Sequence, residues 1–180
     1  MVSKGSSAGP QRRTVCLGMA YQDGKGVNKN LVESARWYEK AAQQGDVNAQ
    51  YTLASLYESG NGVNLDEETA FSWYKKAAAQ GHLDAQFIIG TMYWSGKGTD
   101  KNEEEAVRWF QKTAEKGDAL AQVQLAEAYR YGRGVKADKK EALKWYRKAA
   151  QNGPKGLVDK KMLEELTESV AEENEKSGNE

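Results

Sequence analysis

A tract of 36 residues occurs four times in succession without a gap, and this repetition constrains the fold more than any other feature. The repeats are residues 10–45, 46–81, 82–117 and 118–153. Tyrosine, glycine and tryptophan return at fixed offsets in every unit: Tyr21, Tyr57, Tyr93 and Tyr129; Gly24, Gly60, Gly96 and Gly132; Trp37, Trp73, Trp109 and Trp145. Such self-similarity is typical of repeat proteins, in which each unit buries its apolar face by stacking on its neighbours.

Each unit predicts two helices, A and B, joined and followed by glycine turns. In the second repeat, one helical face carries Ala49, Leu53, Leu56 and Tyr57. Gly-x-Gly turns end helix A, and N-cap residues begin helix B at Asn30, Asp66, Asn102 and Asp138. Glutamates three residues after these caps predict capping boxes at Glu33, Glu105 and Glu141. The sequence therefore predicts an all-α fold, an α-α superhelix (solenoid) of four helix–turn–helix repeats.

The two ends of the chain depart from the repeat. Residues 1–9 are rich in glycine and serine and are expected to be a native disordered arm or an artificial leader. Residues 154–171 predict a capping helix with the apolar stripe Val158, Met162, Leu163, Leu166 and Val170. The alternative is that this helix docks on a partner. Residues 172–180 are polar and are expected to form a disordered tail.

Bulk composition narrows the class of partner and leaves localisation open. Lys and Arg together number 26, as do Asp and Glu, so the chain lacks the basic footprint of a nucleic-acid binder. No stretch reaches the apolar length of a membrane span. The start carries no readable secretion signal. We therefore expect a soluble protein, cytoplasmic as written, or exported to the periplasm or beyond if a signal peptide was removed.

The repeated columns resemble the Sel-one-like repeat family, a relative of the tetratricopeptide repeats. The pattern Ala-x3-Leu-(Gly/Ala)-x2-Tyr-x2-Gly-x-Gly-Val is followed by Ala-x2-Trp-Tyr-x-Lys-Ala-Ala-x2-Gly, and it covers residues 13–153. Departures from it include Arg13, Thr99, Phe110 and Thr113. The resemblance implies a right-handed superhelix that acts as an adaptor or scaffold in protein complexes and signalling, often in bacteria. A cysteine-rich branch linked to β-lactam binding does not fit, because Cys16 is the only cysteine.

Motifs that suggest chemistry have simpler explanations in this chain. The Gly-x-Gly turns lack the third glycine or the Lys-Ser/Thr of nucleotide loops, and their presence in every unit favours a turn between helices. A nucleophilic pair of Cys16 and His82 would join residues from a helix and a turn, and zinc would lack ligands. The acidic run Glu103–Glu105 suits the first turn of a helix. We therefore expect a non-catalytic protein without cofactor or metal.

Columns that vary between units identify the candidate binding surface, because the invariant columns are used for stacking. Variable helix-A columns form a stripe opposite the apolar face, and in related superhelices helix A lines the concave surface. This stripe would form a groove from Cys16 to Tyr131. Candidate partner-binding residues are aromatic, basic or apolar residues in polar columns, with polar neighbours: Trp94, Tyr131, Arg130 and Ile88, with Glu58, Gln124 and Glu127. Trp94 stands out because its column otherwise holds Gln22, Glu58 and Arg130, so core packing does not obviously require it.

The sequence thus predicts a scaffold that binds a protein or peptide in a concave groove lined by helix A, as a monomer or with weak self-association. Two alternatives stay open. A small-molecule or cell-wall-fragment sensor could use the same groove. A singly exposed aromatic at Trp94, packed on its neighbour, would need no binding function.

Overall fold

The structure is a computed structural model that describes residues 10–177, with side chains for residues 13–175. In this part the chain forms nine helices and no strand: α1 (Pro10–Asp23), α2 (Leu31–Gln43), α3 (Val47–Ser59), α4 (Glu67–Ala79), α5 (Leu83–Ser95), α6 (Glu103–Ala114), α7 (Ala119–Tyr131), α8 (Lys139–Asn152) and α9 (Lys160–Ser177). The predicted all-α class and the four A–B helix pairs are confirmed. The expected arm at residues 1–9 lies outside the described residues.

The chain divides into two compact units. The first contains the residues up to Ala85 together with Lys97–Thr99, so it holds α1 to α4, the start of α5 and the last two residues of the Gly-x-Gly turn that follows α5. The second contains Gln86–Gly96 and the residues from Asp100 onward. Within the first unit α2 packs on α3, and within the second α6 packs on α7.

Polar caps begin the helices where the sequence predicts them. The side chain of Asn30 accepts hydrogen bonds from the amides of Val32 and Glu33, and Asp66, Asn102 and Asp138 make equivalent bonds. The predicted capping boxes are wrong in one respect. The cap amide donates to the carbonyl of the repeated tyrosine of helix A, as Asn30 does to Tyr21, so it is not free for the glutamate. Glu33 instead pairs with Arg36 one turn further along α2.

The core of each repeat is formed by the aromatic residue that follows the repeated tryptophan. Four such residues are almost completely buried: Tyr38, Tyr74, Phe110 and Tyr146. Of the four repeated tryptophans, only Trp145 is buried to that degree. A lysine three residues later lies over each ring, as Lys76 does at 3.8 Å from the Trp73 ring centroid. Three of the tryptophans are therefore only half-buried, and a cation covers the ring of each of the four.

The Gly-x-Gly turns are places where one repeat meets the preceding repeat. A Cβ atom added to Gly134 would overlap the carbonyl of Glu103 at the start of α6, within the second unit. In the first unit, Gly62 stands in the same relation to Leu31, and Gly98 to Glu67. Gly26, in the first repeat, has no described atom within 4 Å of such a Cβ. The second glycine of each later turn is thus required by close approach as well as by its left-handed backbone.

Helix α9 packs its apolar stripe on the core of the second unit. Leu166 is 5% exposed, and Met162, Leu163 and Val170 contact the same core, as does Val158, which precedes the helix. The helix begins at Lys160, six residues later than the start predicted at residue 154, and runs to Ser177. Residues 172–177 are therefore helical and do not form the disordered segment that the sequence predicts. The ammonium group of Lys139, at the start of α8, bonds Ser169 and Glu173 of this helix.

Candidate functional site

The helix-A column that contains Trp94 faces the buried aromatic residue of helix B in the same repeat. In the first repeat, the hydroxyl of Tyr38 donates to Gln22 at 2.9 Å. In the second, the hydroxyl of Tyr74 donates to Glu58 at 2.9 Å. The two residues are 16 positions apart in both repeats. A polar residue in this column therefore satisfies a hydroxyl group that the core would otherwise leave without a partner.

Trp94 occupies this column because its partner has no hydroxyl group. The third repeat carries Phe110 where the other repeats carry tyrosine, and the rings of Trp94 and Phe110 lie 5.9 Å apart at 58°. Phe110 is fully buried, and Gly90 allows it to approach helix α5 closely. Trp94 therefore packs against the core of this unit, and an apolar pair replaces the polar pair of the other repeats.

Glu58 belongs to a polar network inside the first unit. Its carboxylate accepts the Tyr74 hydroxyl and lies 2.9 Å from the Lys97 ammonium group, and Glu67 lies 3.8 Å from the same ammonium group. Burial raises the pKa of Glu58, but the hydrogen bonds from Lys97 and Tyr74 together outweigh it and lower the pKa below its ordinary value. Burial and the bond to Glu58 raise the pKa of the Tyr74 phenol. Glu58 is thus held as a carboxylate by internal partners.

An aromatic set replaces this polar network one repeat later, in the second unit. Glu58, Tyr74 and Lys97 correspond, 36 positions on, to Trp94, Phe110 and Arg133. Lys97 and Arg133 are the middle residues of Gly-x-Gly turns. The guanidinium carbon of Arg133 lies 5.9 Å from the Trp94 ring centroid. The ion pair of the first unit has become a cation–π contact in the second.

The guanidinium of Arg133 also joins Trp94 to a second aromatic residue. It lies 5.8 Å from the ring centroid of Tyr131, and the guanidinium of Arg130 lies 5.3 Å from that ring. Tyr131 is 59% exposed, whereas Trp94 and Arg130 are half-buried. We call these four residues, Trp94, Arg130, Tyr131 and Arg133, the aromatic–arginine cluster.

Arg130 also acts on a residue of the core, the buried Tyr146. Burial, and then the charge of Glu127, raise the pKa of the buried Tyr146 phenol, while a hydrogen bond with Arg130 opposes them. Arg130 and Glu127 therefore both act near the Tyr146 hydroxyl. Arg130 fills the same column as Gln22 and Glu58, so it too serves the aromatic residue of its own repeat.

The predicted site residues thus fall into three groups. The structure brings together Trp94, Arg130 and Tyr131, with Glu127 beside them. Ile88 and Gln124 are half-buried on α5 and α7, and no hydrogen bond, ion pair or ring contact of the described residues joins their side chains to the cluster. Glu58 lies in the first unit and is used internally.

Two sets of residues were missed by reasoning from the sequence. The first is Arg133, whose available signal is that the change from Lys97 to Arg133 accompanies the changes at Trp94 and Phe110. The second set is a column of buried glutamines, Gln50, Gln86 and Gln122. Gln122 donates to the carbonyl of Ala114 and accepts from Asn152, and Gln50 bonds Ala42 and Gln80 in the same way. Their recurrence every 36 residues was the available signal.

The residues considered for catalysis or metal binding, His82 and Cys16, are not assembled into a site. His82 stacks on Tyr51 with ring centroids 4.4 Å apart, and its Nδ1 accepts the amide of Ala85 at the start of α5. Cys16 is an exposed thiol. Among residues 10–177 no group of three or more His, Cys, Asp or Glu side chains is placed to hold a metal ion. None of the described helices has the length and apolar character needed to cross a membrane.

Comparison with known proteins agrees with the repeat geometry. The family model of the Sel1 repeat matches residues 17–46, 47–82, 83–118 and 119–154. A Sel1 repeat protein of Oxalobacter formigenes is 37% identical, with a TM-score of 0.77 over 81% of this chain and 60% of its own. The c5321 protein, a protective antigen of uropathogenic Escherichia coli strains with this repeat fold, is 34% identical, with a TM-score of 0.76 over 81% of this chain and 31% of its own.

A third structure is more distant. Cysteine-rich protein B of Helicobacter pylori is 25% identical, with a TM-score of 0.50 over 65% of this chain and 96% of its own. No curated protein matches the sequence. The chain spans about 60% of the Oxalobacter protein and about a third of the E. coli protein. With four matched repeats that cover most of its length, the chain belongs to the Sel1 repeat family.

Proposed function

We propose that this chain is a scaffold that binds a protein or peptide partner through the helix-A surface of its second unit. Sel1 repeat proteins are helical-repeat scaffolds and are generally protein-interaction modules. A scaffold of this kind needs no reacting group. Its stacked helices hold side chains of α5 and α7 in fixed positions, which limits the entropy lost on binding.

The observation that carries the proposal is the exposure of Tyr131 within the aromatic–arginine cluster. A tyrosine ring that is 59% exposed and contacted by two guanidinium groups offers a rigid apolar surface edged by hydrogen-bond donors. Tyrosine, tryptophan and arginine are the residues most enriched at binding hot spots. Arg130 and Arg133 hold the ring in place, so less side-chain freedom is lost when a partner covers it.

The other candidate residues take different roles. Trp94 supports the cluster from the core and offers the remainder of its surface. Glu127, Gln124 and Ile88 supply polar and apolar contacts around it on α5 and α7. Glu58 is left out of the binding surface, because its carboxylate is occupied by Tyr74 and Lys97.

Peptide selection tests this proposal and does not require the natural partner to be identified first. Random peptides displayed on phage would be selected on the immobilised chain, and the affinity of the selected peptides measured by calorimetry. We expect Tyr131→Ala to weaken binding by about 2 kcal/mol, the size typical of an aromatic hot spot. Leu120→Ala is the matched control, because Leu120 is also on α7 and is 52% exposed but lies at the opposite end of the helix. Selected peptides that bind Tyr131→Ala as tightly as the parent chain would contradict the proposal.

A further inference from the structure

The turn cation of the first unit has an internal counter-ion. Lys97 lies 2.9 Å from Glu58, and both side chains are about one third exposed. The bond to Glu58 is the main reason that the pKa of Lys97 is raised. In this turn the charge of the middle residue is therefore neutralised by helix A of the preceding repeat.

The corresponding cation of the second unit has lost that counter-ion. The position that holds Glu58 one repeat earlier holds Trp94, which contacts Arg133 through its ring and accepts no ion pair. Among the described residues, neither Arg133 nor Arg130 lies within ion-pair distance of a carboxylate. Elsewhere in the same unit Arg108 is paired with Glu105.

Arg130 and Arg133 differ in how far their guanidinium groups are already engaged within the protein. Arg130 acts on the buried Tyr146 phenol, whose pKa it lowers, and its guanidinium also lies 5.3 Å from the Tyr131 ring. Arg133 contacts the faces of Trp94 and Tyr131. A cation–π contact uses no N–H donor of the guanidinium group, so its planar fork can still bind a carboxylate through two parallel hydrogen bonds.

We propose that Arg133, assisted by Arg130, binds the carboxylate of an aspartate or glutamate side chain of a peptide partner. That carboxylate takes the place that Glu58 fills for Lys97 in the preceding repeat. Tyr131 and Trp94 contact the apolar residues on either side of the acidic residue. This assignment rests on the proposed function and adds the chemical class of the partner: an acidic residue within an apolar peptide segment.

A double-mutant cycle, with one change in the protein and one in the peptide, tests whether Arg133 binds a carboxylate of the peptide. The probes are the peptides selected on the parent chain and the same peptides with each acidic residue changed to its amide. We expect the selected peptides to share an acidic residue, and Arg133→Gln to weaken their binding about tenfold. The amide peptide should bind the parent chain about as weakly, and Arg133→Gln should weaken it no further, because the interaction is already lost.

Two further variants keep the outcome interpretable. Arg108→Gln removes an exposed arginine of the same unit that already has a partner, and we expect unchanged binding. Arg133→Lys keeps the charge but loses the two-pronged geometry, so it should bind with an affinity between those of the parent and Arg133→Gln. It also serves as the folded comparison if Arg133→Gln is unstable.

The results separate this inference from the proposed function. Peptides whose binding requires Tyr131 but is equal in acid and amide forms would overturn the acidic partner and leave the binding surface in place. Equal behaviour of Arg133→Gln and Arg108→Gln would overturn the acidic partner in the same way. Failure to select any peptide that depends on Tyr131 would overturn both.

Discussion

At the scale of single residues, the third repeat shows how one change in the core demands others. Replacing tyrosine by Phe110 removes a buried hydroxyl group, and a carboxylate beside it would then lose that donor and face an apolar ring. Trp94 fills that position with an apolar ring. The residue that looked free to serve a partner therefore has a structural reason to be there, and its exposed edge is what is left for binding.

Transplanting the polar pair of the second repeat into the third tests this coupling. We expect Trp94→Glu alone to destabilise the chain by about 2–4 kcal/mol, because it removes a half-buried ring and leaves the new carboxylate facing Phe110. Adding Phe110→Tyr should restore about 1–2 kcal/mol beyond the sum of the single changes. Urea unfolding of the four chains gives the coupling, and strictly additive effects would show that the two positions are independent.

Glu58 predicts a measurable dependence of stability on pH. Its pKa is lowered in the folded chain, so the stabilisation is present above its unfolded pKa of about 4.3 and is lost as the pH falls through the folded value. Glu58→Gln should therefore cost about 1 kcal/mol at neutral pH, since the side chain is partly solvated. Unfolding free energies of the two chains between pH 7 and 3 should converge at the acid end. A difference in unfolding free energy that stays constant from pH 7 to pH 3 would show that the ionised Glu58 carboxylate does not stabilise the fold.

At the scale of elements, stacking depends on the second glycine of each Gly-x-Gly turn. Gly134 and Gly26 both have positive φ, of 65° and 75°, but only Gly134 faces the backbone of a preceding repeat. Both changes to alanine carry the backbone strain of about 1 kcal/mol. We expect Gly134→Ala to cost about 2 kcal/mol more, because its Cβ would push the turn away from α6. Thermal unfolding should rank the variants in that order. Equal losses would show that strain alone explains the glycine.

Most elements could be predicted because their signals are local. Helix ends follow from the caps Asn30 and Asp138 and from turn glycines, all of which act on neighbouring backbone groups. The contacts of the site could not be predicted in the same way. Trp94 contacts Phe110, 16 positions away, and Arg133, 39 positions away. Contacts of this kind join different columns of the repeat, so no single column reveals them. The contact of α9 with Lys139 of α8 is likewise distant in sequence, with Lys139 and Glu173 34 positions apart.

At the scale of the whole molecule, the chain is a member of the Sel1 repeat family in which two successive repeats place different partners beside the turn cation. The first unit uses Glu58 to neutralise its turn cation, and the second surrounds Arg133 with aromatic rings in place of that carboxylate. The stacking residues are the same in both. The difference between the units therefore gives the second one a surface that the first lacks, and this is the surface to which we assign partner binding.

Hydrogen exchange of the chain with and without a selected peptide tests that assignment most directly. The turn Gly132–Gly134 and the adjoining ends of α5 and α7 should exchange more slowly in the complex, because the peptide covers Tyr131 and its neighbours. Tyr131→Ala should abolish this protection at the same peptide concentration. Protection confined to other segments, such as α8 and α9, would show that the partner binds elsewhere and that the aromatic–arginine cluster is a feature of packing alone.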